Sequence, residues 1–172
     1  MIAAGMPMTD DTIGIYNQES IQFRGYAIQC RITTEDPENG FKPDYGRLVA
    51  YRSASGFGIR LDAGNAYAGA TISPFFDSML VKVTAWGHRV SDASDRLHRA
   101  LREFRIRGVK SNIPFLLNLL RDQNFREGNI TVNYIGNHPE LLQSANWKNR
   151  GCLLYTSPSP RDQRGSRMPS SA

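Results

Sequence analysis

Cysteine and long apolar segments are scarce in this sequence. Its 172 residues include two cysteines, Cys30 and Cys152, which lie far apart. That spacing excludes a disulfide framework or a zinc site built on clustered cysteines. No run of about 18 apolar residues offers a membrane span, and the stretch after Met1 has no signal-peptide pattern. We therefore expect no membrane partner, and a protein that is cytoplasmic or, in a eukaryote, located in the mitochondrial matrix.

The short motifs that mark common enzyme sites are also absent. The sequence contains no Gly-x-x-x-x-Gly-Lys-Ser/Thr phosphate loop, no Gly-x-Ser-x-Gly elbow, no His-Glu-x-x-His and no Cys-x-x-Cys. The three histidines, His88, His98 and His138, are dispersed and have no metal-like partner at short spacing. The residues by themselves predict no metal site and no cofactor-binding site in this chain.

Positive charge is in modest excess, with a net charge of +5 to which the tail after residue 150 contributes three arginines against one aspartate. A basic run on a predicted helix favours, as one alternative, a nucleic-acid-binding module. This run consists of Arg96, Arg99, Arg102, Arg105, Arg107 and Lys110. Acidic residues lie among these bases and no aromatic residues are interleaved for base stacking, which is typical of an ordinary solvated helix face. We expect no nucleic-acid partner.

Alternation of apolar and polar residues predicts four strands. In chain order the candidates are Gly25–Thr33, Gly46–Arg52, Phe57–Asp62 and Ser78–Trp86. The residues Ser53–Gly56 are typical of a tight hairpin connection between the second and third strands. The fourth is apolar and β-branched enough to be a central strand, and Gly87 closes it.

Helical spacing begins after the last of these strands. One apolar stripe comprises Ala93, Leu97, Ala100, Leu101 and Phe104. Ser91 is its predicted N-cap and Gly108 its predicted stop. A second helix is predicted from Ser111 or Asn112, with Pro114 in its first turn, and a short strand-like piece follows at Ile130–Ile135. Strands followed by helices with short connections predict an α+β domain.

The last segment, residues 151–172, differs from the rest in composition. It is rich in serine, proline and arginine and has almost no large apolar side chain after Tyr155, so it has too little to bury to fold by itself. Its stretch Cys152–Gln163 resembles translated adapter sequence found at the ends of assembled reads. We interpret the segment as a non-native tail, with a native disordered tail as the alternative.

Arg60 is the candidate site residue. It is predicted to project from the strand face opposite Phe57, Ile59 and Leu61, beside Gly58, which leaves room for a ligand. A guanidinium in that position could neutralise an oxyanion or a carboxylate. By pattern alone, a surface arginine on a solvated sheet face is the favoured interpretation.

Four motifs, in order and spacing, resemble the C-terminal region of the biotin carboxylase domain in biotin-dependent carboxylases. They are Arg24–Pro37, Ser55–Arg60, Tyr67–Gly69 and Phe76–Lys82, within a match over about residues 2–135. The resemblance implies a small α+β lobe with an antiparallel sheet and packed helices, which lies against an ATP-grasp lobe. It divides the chain into residues 1–20, a truncated remnant of the preceding lobe; 21–128, the C-terminal domain; 129–150, a linker; and 151–172, the tail.

The resemblance also implies chemistry. Enzymes of this family activate bicarbonate with MgATP as carboxyphosphate and pass carbon dioxide to N1 of biotin on a carrier lysine. The residue matching Arg60 is expected to contact biotin and to stabilise its enolate oxygen, which makes Arg60 the predicted catalytic and substrate-binding residue. The implied cofactors are biotin, on a separate carrier domain, and ATP with Mg, bound mainly by other lobes. The implied partners are the ATP-grasp lobe and the biotin carrier domain of a full-length homo-oligomer.

Two stretches, Gly40–Gly46 and Tyr51–Gly56, are similar to the pyruvate carboxylase branch of the family rather than to acyl-CoA carboxylases. A fragment of an acetyl-CoA or propionyl-CoA carboxylase remains the alternative, because another domain selects the acceptor. The family's ATP-binding lysines, metal-binding glutamates and Glu-His-x-Val-Thr-Glu stretch would all precede Met1. We therefore predict that this chain alone is inactive.

Overall fold

The computed structural model describes residues 1–64 and 66–143. Its strands are β1 Tyr26–Thr33, β2 Glu35–Asp36, β3 Lys42–Pro43, β4 Gly46–Arg47, β5 Ala50–Arg52, β6 Ile59–Ala63, β7 Thr71–Ile72, β8 Met79–Gly87 and β9 Arg105–Arg107. Its α-helices are α1 Val90–Glu103, α2 Ile113–Leu119, α3 Gln123–Glu127 and α4 Tyr134–Asn137. Short 3₁₀ turns lie at Ile2–Ala4, Gln18–Ser20, Pro37–Asn39 and Pro139–Leu142. The predicted tail 151–172 lies outside the described residues.

The main sheet has three antiparallel strands, with β8 between β1 and β6. Because side chains alternate along a strand, one face of the sheet collects the apolar residues and packs against α1. The fully buried members of this face are Ile32, Val81, Val83 and Ala85. The predicted β1 and the predicted central strand β8 are confirmed, as is the α+β class with a small antiparallel sheet.

Helix α1 buries the stripe that its sequence predicts, since Ala93, Leu97, Ala100, Leu101 and Phe104 are all buried. Its start differs from the prediction. Arg89 is the N-cap rather than Ser91, because the Asp92 carboxylate in the first turn accepts a hydrogen bond from the Arg89 backbone N–H at 3.1 Å. The helix therefore begins at Val90, shortly after β8 ends at Gly87.

The predicted hairpin at Ser53–Gly56 is wrong. The stretch before it splits into β4, which pairs with β7, and β5, which pairs with β9, while β6 joins the main sheet. The predicted end of α1 at Gly108 is also wrong, since the helix stops at Glu103 and the next residues form β9. The predicted strand at Ile130–Ile135 is a turn followed by α4. In the first two cases a strand partner distant in sequence decides the outcome.

The core continues past the main sheet. Tyr134 and Leu141 are buried and belong to the same apolar cluster as α2, so part of the predicted 129–150 linker packs against the domain. Cys30 lies in this core as well, and burial raises the pKa of its thiol to about 12, so that it packs as a protonated, apolar group.

Within the described residues, no helix combines the length and apolar character that a bilayer crossing requires.

Asn112 forms hydrogen bonds with the backbone at the open edge of β1. Its side-chain Oδ1 accepts a hydrogen bond from the Thr33 N–H at 3.0 Å, and its Nδ2 donates to the Arg31 carbonyl at 2.9 Å. Its own backbone N–H donates to the Thr33 carbonyl at 3.2 Å. The residue is buried and thus takes the place of a strand partner for β1.

Replacing Asn112 with alanine leaves a donor of Thr33 and an acceptor of Arg31 without these bonds. We expect a loss of about 2–3 kcal/mol in the free energy of unfolding, measured by urea denaturation of the 172-residue chain. The exposed Asn129→Ala is the control, with an expected change within about 0.5 kcal/mol. Equal effects of the two substitutions would contradict this role for Asn112.

Candidate functional site

The outward face of the main sheet is polar and open, and we call it the polar face. It contains two rows of side chains that run across the three strands. One row is Arg31, Lys82 and Asp62, and the other is Gln29, Thr84 and Arg60. The Gln29 amide Nε2 donates to Thr84 Oγ1 at 2.9 Å. Three cations and one carboxylate therefore give the strand residues of this face a positive balance, which favours an anionic ligand.

Arg60 lies on the polar face, opposite Ile59 and Leu61, where its sequence position places it. Its Nε and Nη2 both donate to Asp62 Oδ1, at 3.0 and 2.9 Å. The Arg60 side chain is 77% exposed. Nη1 takes no part in this pair. Phe57, predicted to share the apolar side of this strand, precedes β6 and is 87% exposed.

Arg96 holds the loop that leads into β6, a role that the sequence did not indicate. Its Nη1 donates to the Trp86 carbonyl at 3.0 Å, and its guanidinium lies 5.8 Å from the centre of the Phe57 ring. Gly58 has a φ of 74°, and a Cβ at that position would lie 2.2 Å from Arg96 Nη1. The glycine therefore leaves room for the guanidinium, and the guanidinium fixes the loop two residues before Arg60.

Other members of the basic run make contacts within the chain. Arg99 bonds Glu103 at 2.7 Å, one turn along α1. Lys110 bonds the Asp36 carboxylate, and this contact holds the pKa of Asp36 below its usual range. Together with the Arg96 contacts, these pairings give three of the six basic residues in the run contacts within the chain.

Arg60 lines neither of two concavities in the described part of the chain. One, of about 660 Å³, is lined by Asp36, Asn39, Lys42, Pro43, Asp44 and Lys110. Its carboxylates are engaged, since Asp36 bonds Lys110 and Asp44 accepts from the Lys110 backbone N–H at 2.6 Å. The second, of about 250 Å³, is an apolar space between β1 and α2. Neither cavity places a reactive group beside Arg60.

Metal-binding residues do not converge in the described part of the chain. No group of three or more His, Cys, Asp or Glu residues there could hold a metal ion. Several large apolar side chains are instead exposed, the most extensively being Phe23, Phe57, Phe75, Phe76 and Val132.

Comparison with known proteins agrees with this architecture. The family model described as the biotin carboxylase C-terminal domain matches residues 29–137. Pyruvate carboxylase of Staphylococcus aureus is 49% identical over 142 residues, which is 83% of this chain and 12% of that protein. The chain therefore spans about an eighth of the length of that relative.

Solved structures give the same result. A complete multifunctional pyruvate carboxylase from Rhizobium etli has a TM-score of 0.79 and 50% identity, over 88% of this chain and 14% of that one. The biotin carboxylase domain dimer of Hydrogenobacter thermophilus 2-oxoglutarate carboxylase, in complex with MgADP, ADP and bicarbonate, has a TM-score of 0.74 and 39% identity. That match covers 84% of this chain and 30% of the solved chain.

Proposed function

Because the chain belongs to the biotin carboxylase C-terminal domain family, we propose that it is part of an ATP-dependent enzyme that carboxylates carrier-bound biotin with bicarbonate and converts pyruvate to oxaloacetate. The observation that carries this proposal is the family match over residues 29–137, which includes the polar face and Arg60. The relatives at about half identity are pyruvate carboxylases.

Arg60 is the proposed catalytic and biotin-binding residue. Its exposed guanidinium is anchored to Asp62 by one edge and leaves N–H donors toward solvent. Such donors fit the ureido oxygen of biotin, where negative charge develops as the N1 proton leaves. A preorganised cation stabilises that charge more than it stabilises the neutral ground state, which is how it lowers the barrier.

ATP and Mg are proposed cofactors that other lobes bind. The described residues contain no cluster of acidic ligands for the metal, so they do not fit a metal-nucleotide site of their own. The 2-oxoglutarate carboxylase domain, solved with MgADP and bicarbonate, supports the use of these ligands by the family. This chain would supply the biotin-facing arginine and its supporting sheet.

The proposed partners are an ATP-grasp lobe and a biotin carrier domain within a full-length homo-oligomer. The exposed phenylalanines Phe75 and Phe76 support a covering domain, since together they present a large apolar surface next to β8. For the location of the enzyme we propose the cytoplasm, or the mitochondrial matrix in a eukaryote.

The complete gene provides the test of this proposal. We expect its enzyme to form oxaloacetate from pyruvate, ATP and bicarbonate, while the 172-residue chain alone shows no bicarbonate-dependent ATP hydrolysis. Acetyl-CoA, propionyl-CoA and 2-oxoglutarate are the competing acceptors in the same assay. Preferential carboxylation of one of these would overturn the proposed acceptor. ATP hydrolysis by the isolated chain would overturn the proposal that other lobes bind ATP and Mg.

A further inference from the structure

Asp62 holds the Arg60 side chain by one edge of its guanidinium. The two residues lie two positions apart on β6, so both project from the polar face. Arg60 Nε and Nη2 donate to the same carboxylate oxygen, Oδ1, at 3.0 and 2.9 Å. An arginine has five N–H donors, and this contact uses two of them. The plane of the guanidinium is thereby fixed, with the Nη1 side directed away from Asp62.

The setting of Asp62 suits an anchoring role. Its side chain is 38% exposed against 77% for Arg60, so the carboxylate is the better shielded member of the pair. Lys82 lies directly opposite it on β8, which places a second cation beside the carboxylate. An exposed pair of this kind contributes little to folding stability.

We infer that Asp62 is a positioning residue that orients Arg60 toward the biotin ureido group, an inference that rests on the function proposed above for Arg60. Arginine is long and has many rotamers, so an unanchored guanidinium samples many directions. Charge alone does not stabilise a developing oxyanion, because the donors must already point at the oxygen. Asp62 supplies that direction from the neighbouring position on the same face of β6.

The test compares Asp62→Ala and Asp62→Asn in the full-length carboxylase proposed to contain this segment. We expect Asp62→Ala to lower kcat for the carboxylation of free biotin about tenfold, because the guanidinium loses its fixed direction. Asparagine keeps an oxygen acceptor at the same place, so Asp62→Asn retains activity within about threefold. The KM for ATP and the slow ATP hydrolysis without biotin stay unchanged in both, whereas a general structural defect would impair them too.

Arg60→Ala and the double variant, assayed in parallel, separate the two proposals. We expect the double variant to be no slower than Arg60→Ala, since Asp62 acts through Arg60. Full biotin carboxylation by Arg60→Ala would overturn the proposed function. A large loss in Arg60→Ala with wild-type activity in Asp62→Ala would overturn this inference alone. If Asp62→Ala lost biotin-independent ATP hydrolysis to the same extent as biotin carboxylation, the proposed positioning role of Asp62 would also be overturned.

Discussion

Replacing Arg60 with alanine is expected to lower the rate of biotin carboxylation by the full-length enzyme about 100- to 1000-fold. The physical reason is the loss of the cation that we propose stabilises the negative charge developing on biotin. Because ATP is proposed to bind other lobes, the KM for ATP should remain unchanged. Steady-state assays with free biotin, with and without the acceptor, measure both quantities.

Two further variants sharpen the Arg60 experiment. Arg60→Lys keeps the charge but loses the fork of donors that contacts Asp62, and we expect it to recover little of the rate. Arg52→Ala removes another exposed strand arginine, which lies on β5 in a different sheet, and it should retain the wild-type rate. Comparable losses in the Arg60 and Arg52 variants would point to a general effect of surface charge and contradict a specific role.

Replacing Gly108 with alanine is expected to lower the free energy of unfolding by about 3 kcal/mol or more. Gly108 has a φ of 102°, which side chains rarely adopt, and a Cβ would lie 2.1 Å from the Arg47 carbonyl oxygen. The Val49 N–H donates to the Arg107 carbonyl at 2.8 Å next to this contact. Two backbone segments approach each other here, so neither can move aside without breaking a strand pairing.

Gly128 is a matched control, because it also has a positive φ, 79°, but nothing lies within 4 Å of its Cβ position. Gly128→Ala should lower the free energy of unfolding by about 1–2 kcal/mol, which is the cost of placing a side chain on backbone with a positive φ. Urea denaturation followed by circular dichroism measures both variants. A Gly108→Ala chain that is unfolded in buffer, beside a folded Gly128→Ala chain, supports the same conclusion. Equal losses would show that close packing at Gly108 carries no cost.

The sequence predicts parts of this fold because their periods are local. The alternation in β1 and β8 and the stripe of α1 from Ala93 to Phe104 each depend on which residues can be buried together along one element. The side of the sheet on which Arg60 lies is predicted correctly for the same reason. Ile59 and Leu61 pack against the core, so Arg60 between them projects from the other face. The family could likewise be predicted, because its motifs are contiguous in the chain.

The supporting groups of the site could not be predicted in this way. The sequence predicts Arg96 as one basic residue on a solvated helix face, yet its side chain contacts the Trp86 carbonyl and the Phe57 ring. Asn112 is predicted only as a possible start of the second helix, yet its side chain bonds the edge of β1. Both contacts join residues from different elements, so no spacing within one element contains them.

By itself, the sequence determined the long strands, the main helix, the α+β class and the family, because each depends on side-chain periodicity or on contiguous motifs. Only the tertiary structure decided how the short strands pair. Strands β4, β5, β7 and β9 have two or three residues each, too few to show a period, and their partners are distant in the chain. Their pairing depends on the close backbone approach at Gly108 and on burial against the main sheet, and these exist only once the chain has folded.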